Sequence, residues 1–284
     1  MSLPYDAALK ELVQSYPRDW LAAVGVPVAG PVTAVNVDLA TVSAAADAVF
    51  AVGDPPAYLV TLEFQASRDA SLSRRVLVYN ALLHQRFAVP VQSVVVLLRR
   101  AASDSALDGA VRYAVEDRLG GMDFRFEVVR VWERPAAELL RGAVGTLPLA
   151  PLGALPAGTT PGQGLPAVVR AMHDRLTREF TPPTAEKLLA VAFVLTGLRV
   201  SEEDVVQLYR GVGMLEESTA VQYLLRQGAI REVRKLVIRL GRRLGEPDAT
   251  TAARLEAIGD LDELERLCER LPLVSTWPEL FDVS

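Results

Sequence analysis

The sequence predicts an α/β domain, a mixed sheet flanked by helices, followed by an all-α C-terminal domain. Three features carry that expectation. The first part of the chain reads as helix, three strands, helix, strand, with apolar residues switching between helical and strand periods. Residues 91 to 99, VQSVVVLLR, form a nearly continuous apolar run suited to a strand buried on both faces. Prolines accumulate between Gly142 and Pro166, and beyond them each apolar pattern is helical.

The elements follow in order. Tyr5, Leu9, Leu12, Val13 and Tyr16 recur at helical spacing and predict an amphipathic helix closed by Pro17. Residues 32 to 42, 47 to 52 and 57 to 65 are short, rich in Val, Leu, Phe and Tyr, and separated by small residues or Gly-Asp-Pro-Pro, which predicts a three-stranded meander. A helix over 71 to 87 ends before Pro90 and leads into the buried strand. Residues 104 to 119 read as helix, 124 to 132 (FRFEVVRVW) as one more strand, and ERPAAELLR as a helix. The expected division is a domain over residues 1–142, a flexible Pro/Gly-rich linker over 143–165 and a helical domain over 166–284. In the last, helices are expected at 166 to 180, 184 to 198, 201 to 211, 216 to 227, 229 to 244, 250 to 258 and 261 to 271.

Composition narrows the function classes. At 284 residues and 50% hydrophobic the chain can bury substantial cores. Charged residues interrupt the first thirty positions, so a secretory leader is not expected, and no charge-free apolar stretch reaches the roughly 18 residues of a membrane span. A cytoplasmic protein without a membrane partner is the expectation. One cysteine, Cys268, permits no internal disulfide, and no Cys/His cluster has zinc spacing, so a metal site must use carboxylates. The net charge of −5 disfavours nucleic acid as a partner in bulk, yet residues 231 to 243 (REVRKLVIRLGRR) set six basic residues against Glu232. That segment reads either as a solvated helix face or as a phosphate-holding surface in which Arg234, Lys235 and Arg242 contact DNA.

Within VTLEFQ the strand period turns Glu63 and Gln65 to one face and Leu62 and Phe64 to the other. If the two strands pair as a hairpin, Asp47, at the start of the preceding strand, lies across from Glu63. Two acids on neighbouring strands suffice for magnesium, which prefers carboxylate oxygens and keeps several waters. By itself the pattern equally describes a solvent-facing strand. Asp38 is a rival first acid, but it lies a strand earlier and lacks the apolar run that follows Asp47.

The segments YDAALKELVQSYPRDWL, ADAVFAV and YLVTLEFQASRDASLSRRVLVYNALLHQRFAVPVQSVVVLLR resemble the Rpn family of recombination-promoting nucleases and transposase-like proteins, a branch of the PD-(D/E)xK superfamily. FRFEVVRVWERPAAELL, LPLAPLGALP and ESTAVQYLLRQGAIREVRKLVIRLGRRLGEP, with the tail LEAIGDLDELERLCERLPLVSTWPEL, resemble the C-terminal part of its relatives. The resemblance implies a restriction-endonuclease-like fold and hydrolysis of DNA phosphodiesters with Mg2+ or Mn2+, in a recombination or mobile-element setting. It makes Asp47 and Glu63 the metal-binding catalytic acids. Gln65 stands where the superfamily at large has lysine, and Glu11 corresponds to a helix glutamate that completes the metal shell in some relatives. Arg75 and Tyr79, four apart on the following helix, are placed to face phosphate together, although Tyr79 fits core packing equally well. A homodimer stays open, since many DNA-cutting proteins act as dimers.

Two other classes compete: a DNA-binding or regulatory protein on a retained nuclease fold, favoured by the acidic charge and the missing lysine, and a purely structural interaction protein. His84, His173 and Cys268 have no neighbours that make a nucleophilic or zinc site and read as structural. Trp20, Trp132 and Trp277 are too far apart in sequence to define a base-stacking platform.

Overall fold

The computed structural model describes residues 4–35, 47–104, 107–114, 120–211 and 219–281. It divides into two compact units, Met1–Met214 and Leu215–Ser284. The first unit is mixed α/β. Helix α1 (Pro4–Ser15) buries Leu9, Leu12 and Val13 and exposes Lys10, Glu11 and Gln14, the one-sided stripe its spacing predicts. Pro17 closes this helix and opens α2 (Pro17–Ala23), where its missing N–H falls in the first turn.

The strands are β1 (Val32–Ala34), β2 (Ala48–Val52), β3 (Tyr58–Gln65), β4 (Val91–Leu97), β5 (Ala110–Ala114), β6 (Gly121–Arg125) and β7 (Glu127–Arg130). Helix α3 (Leu72–Phe87) connects β3 to β4. The main sheet has the order β1-β2-β3-β4-β7, with β1, β2 and β3 antiparallel and β3, β4 and β7 parallel. All five residues of β2 are buried, because layers cover the sheet on both sides. Val49, Ala51 and Leu59 pack with Leu83, and Val95 and Leu97 pack with Leu72 and Val76, so α3 covers one face. On the other, Trp20 of α2 meets Phe64 edge-on at 5.2 Å. Full burial of each such side chain contributes roughly 2 kcal/mol. Asn80 of α3 donates to the Val91 carbonyl at 2.7 Å and to Ser93 Oγ at 3.1 Å, fixing the helix to β4. The helix ends at Ala88 in the left-handed region, and Pro90 follows.

Three expectations are corrected, and one falls mostly outside the described residues. Residues 110–114 form strand β5 rather than the helix expected over 104–119; residues 105–106 and 115–119 lie outside the described residues. Gly109 has φ +79°, and a Cβ there would come within 2.7 Å of the Phe126 carbonyl oxygen, so the backbone turns where a helix would continue. The strand expected over 124–132 is two strands in different sheets: β6 pairs with β5, β7 pairs with β4, and Phe126 between them donates its N–H to the Gly109 carbonyl. The strand expected over 32–42 is described only as Val32–Ala34, and positions 36–46, Asp38 included, lie outside the described residues.

The third correction concerns the linker. Within 143–165, Val144–Leu152 is a 3-10 helix whose residues from Gly145 to Leu152 are all buried. Proline's fixed φ suits a 3-10 turn, and the interleaved Leu147, Leu149, Ala150 and Leu152 bury apolar surface as a packed element does. It packs against α2, α4 (Ala136–Arg141), α5 (Pro161–Glu179) and α6 (Pro182–Thr196). Asp19 Oδ2 accepts the Gly145 N–H at 2.8 Å, and Arg199 donates to the Pro151 and Gly153 carbonyls at 2.8 and 2.6 Å. Helices α5, α6 and α7 (Glu202–Arg210) therefore belong to the first unit, and the division falls at Met214 and Leu215.

The second unit is helical. Helix α8 (Thr219–Gly241) runs as one helix through the described part of the segment expected at 216–227 and most of that expected at 229–244; Arg242–Leu244 is a 3-10 turn and residues 216–218 lie outside the described residues. It is followed by α9 (Ala249–Ala257), α10 (Leu261–Arg270) and α11 (Trp277–Phe281). Val237, Leu255, Leu264, Leu271 and Leu280 are its most buried core residues.

Candidate active site

Strand β3 alternates, so Leu59, Thr61 and Glu63 lie on the face that α3 covers. Ala48 pairs with Leu62, and one further step of the same register sets Asp47 across from Glu63. The Asp47 carboxylate is fixed there by its own chemistry: Oδ2 accepts the backbone N–H of Phe64 at 2.8 Å, an amide beyond the last residue pair of the β2–β3 ladder. Sequence reasoning paired these two acids, and the structure brings them together at the ends of adjacent strands.

Glu63 is 7% exposed. Gln65 Nε2 donates to its Oε1 at 3.3 Å, and Arg75 Nη2 reaches the same oxygen at 2.5 Å. Among the described residues no group donates to Oε2, which is buried. Burial, followed by the negative charge of Asp47, pushes the Glu63 carboxyl from its ordinary 4.5 up to about 7, against the opposing pull of Arg75 and Gln65. Asp47 is raised as well, first by burial, with its bond to the Phe64 amide opposing. A buried acid and a partly buried one, both pushed towards neutrality, are an arrangement that a cation relieves.

Arg75 Nη1 also bonds Asp69 Oδ2 at 2.6 Å, so one guanidinium spans two carboxylates. Tyr79, one turn further along α3, is 3% exposed, and its phenol is raised by burial and then by the charge of Glu63, so it belongs both to the core and to the rim of this site. The first turns of α1 border it too. Burial and then Asp6 raise the Tyr5 phenol, and the charges of both Asp6 and Lys10 act at Asp47. Asp6 is the acid that sequence reasoning missed. Its signal was the pair Asp6 and Lys10, one turn apart beside the buried stripe of Leu9 and Val13.

Glu11, expected to complete the metal shell, is not part of the site. Its side chain is 66% exposed and pairs with Lys187 of α6 at 2.8 Å. One helix residue beyond Lys10 is about 100° further round the axis, which turns Glu11 away from the sheet end. Among the described residues, no group of three or more Asp, Glu, His or Cys side chains is spaced to hold a metal ion.

In the second unit, Arg234 is corrected from the expected DNA contact. Its guanidinium turns inward and donates to the carbonyls of Leu255 and Ile258 at 2.9 and 2.8 Å, satisfying the end of α9. Arg243 makes the equivalent bonds to Leu271 and Val274. Lys235 and Arg242 are exposed. His84 Nδ1 lies 2.7 Å from the Val89 carbonyl and His173 Nδ1 lies 3.4 Å from Asp174, structural positions for both. No helix among the described residues is long and apolar enough to cross a membrane. No protein-family model, curated protein or solved structure matches the chain.

Proposed function

We propose that the first unit is a metal-dependent DNA endonuclease of the PD-(D/E)xK type, with Asp47 and Glu63 as the residues that hold Mg2+ or Mn2+. One observation carries the reading: two acids face each other on adjacent strands, and among the described residues nothing donates to Oε2 of the better buried one. The residues fit such an ion, since a buried carboxylate oxygen without a donor costs free energy that a cation offsets. The antiparallel meander, the helix α3 and the parallel strand β4 agree with the element order of that superfamily and support the resemblance.

A bound divalent ion would supply an activated water and offset charge developing on the phosphate. The chain's own groups do the rest. Gln65 and Arg75 orient the Glu63 carboxylate through Oε1, and the Phe64 amide fixes that of Asp47. Where a lysine would add charge, Gln65 adds only neutral hydrogen bonds, so Arg75 is the nearest permanent cation bonded to Glu63. A slow enzyme with strict divalent dependence follows.

The test is relaxation of supercoiled plasmid in Mg2+ or Mn2+ by the full chain, Asp47→Ala and Glu63→Ala. Cleavage that needs the ion and both acids supports the reading. A second reading, a DNA-binding or regulatory protein, is favoured by the Arg75–Glu63 pair, in which Arg75 already offsets part of the acid's charge. It is the better account if all three proteins bind DNA alike and none cuts it.

A further inference from the structure

We infer that Asp69 is a positioning residue of the proposed metal site, holding Arg75 in a shared geometry that leaves Glu63 Oε2 open to a cation. The inference rests on the metal-site reading and adds a residue that no sequence pattern marked.

A guanidinium fork beside a lone carboxylate tends to engage both of its oxygens. At Glu63 it does not. Nη1 of Arg75 is taken by Asp69 Oδ2 at 2.6 Å, Nη2 alone reaches Glu63, and it lands on Oε1, the oxygen that Gln65 also donates to. Oε2 is left buried, with no donor among the described residues. Asp69 is itself anchored: its Oδ1 accepts both the backbone N–H of Ser71 at 2.8 Å and Ser71 Oγ at 2.7 Å, at the start of α3. The chain of contacts runs from the helix start through Asp69 and Arg75 to one oxygen of Glu63, and its effect is to select which oxygen is presented. Remove the charge at Asp69 and Arg75 is free to close on both oxygens of Glu63, taking the position that the cation needs.

The experiment is Mn2+ binding to the full chain, read from the free-ion signal in electron paramagnetic resonance titrations, with circular dichroism melts as the folding control. Asp69→Asn keeps an acceptor for Ser71 and should weaken Mn2+ binding about tenfold, the scale of losing a group that orients a metal ligand. Arg75→Gln removes the competitor, so Asp69→Asn in that background should bind Mn2+ as tightly as Arg75→Gln alone. Asp69→Glu, which keeps the charge, should stay within about twofold of wild type on the same reasoning. The inference is overturned if Asp69→Asn binds Mn2+ like wild type, if it weakens binding equally with and without Arg75, or if Asp69→Glu loses as much as Asp69→Asn. A wild-type chain that binds Mn2+ while Asp69→Asn is unaffected overturns this inference alone. A wild-type chain that binds no Mn2+ overturns the metal-site reading and the inference with it.

Discussion

Replacing Glu63 with glutamine should change the stability of the first unit in a pH-dependent way whose size follows from the site. The folded-state carboxyl is raised from 4.5 to about 7, so between those pH values the folded chain keeps a proton that the unfolded chain releases. Stability from this group is therefore intact below pH 4.5 and falls as pH rises towards 7. The full loss is roughly 3 kcal/mol, most of which appears between pH 5 and pH 8. Glutamine has the same shape and does not titrate. Urea unfolding in metal-free buffer should show Glu63→Gln gaining roughly 2–3 kcal/mol on wild type from pH 5 to pH 8. At pH 8, Mn2+ should restore stability to wild type and not to the variant, because it offsets the charge that glutamine lacks. Stability curves that stay parallel across this range would refute the argument that Glu63 is an acid held against its charge.

Two further outcomes separate the site from its surroundings. Glu11→Ala should leave Mn2+ affinity and cleavage unchanged, since its exposed pair with Lys187 contributes little; a tenfold loss of metal affinity, measured by the same titration, would return Glu11 to the site. Arg234→Gln should lower the melting temperature of the second unit through about 1–3 kcal/mol of lost carbonyl bonds and leave the salt dependence of DNA binding unchanged, whereas a flatter salt slope with unchanged melting would make Arg234 a phosphate contact.

The parts of the fold legible in sequence are those where one period is unambiguous. AVFAV, YLVTLEFQ and VQSVVVL are apolar, β-branched and bounded by turn residues, and each is a strand close to its expected limits. Residues 110 to 114 carry two periods at once. Val111 and Ala114 suggest a helix, while Val111 and Tyr113 alternate with Arg112, and the left-handed turn at Gly109 decides for the strand. The Pro-rich segment misled because composition reports proline and glycine but not the burial of the leucines between them. At the site, Asp47 and Glu63 were legible because a hairpin register fixes which residues face each other. Asp69, Asp6 and the true partner of Glu11 were not, since each depends on which elements meet in space. Arg234 shows the same limit: charge is visible in sequence, and the carbonyls that consume it are not.

The central claim, that Asp47 and Glu63 form a divalent-cation site, is tested most directly by anomalous diffraction from crystals of the full chain soaked in Mn2+. The account expects one strong peak bonded to Asp47 and to Glu63 Oε2, with Arg75 still on Oε1, and no such peak in Glu63→Gln. Density at millimolar Mn2+ that avoids both acids, or an Arg75 guanidinium seated across both oxygens of Glu63 with no metal beside it, would contradict it.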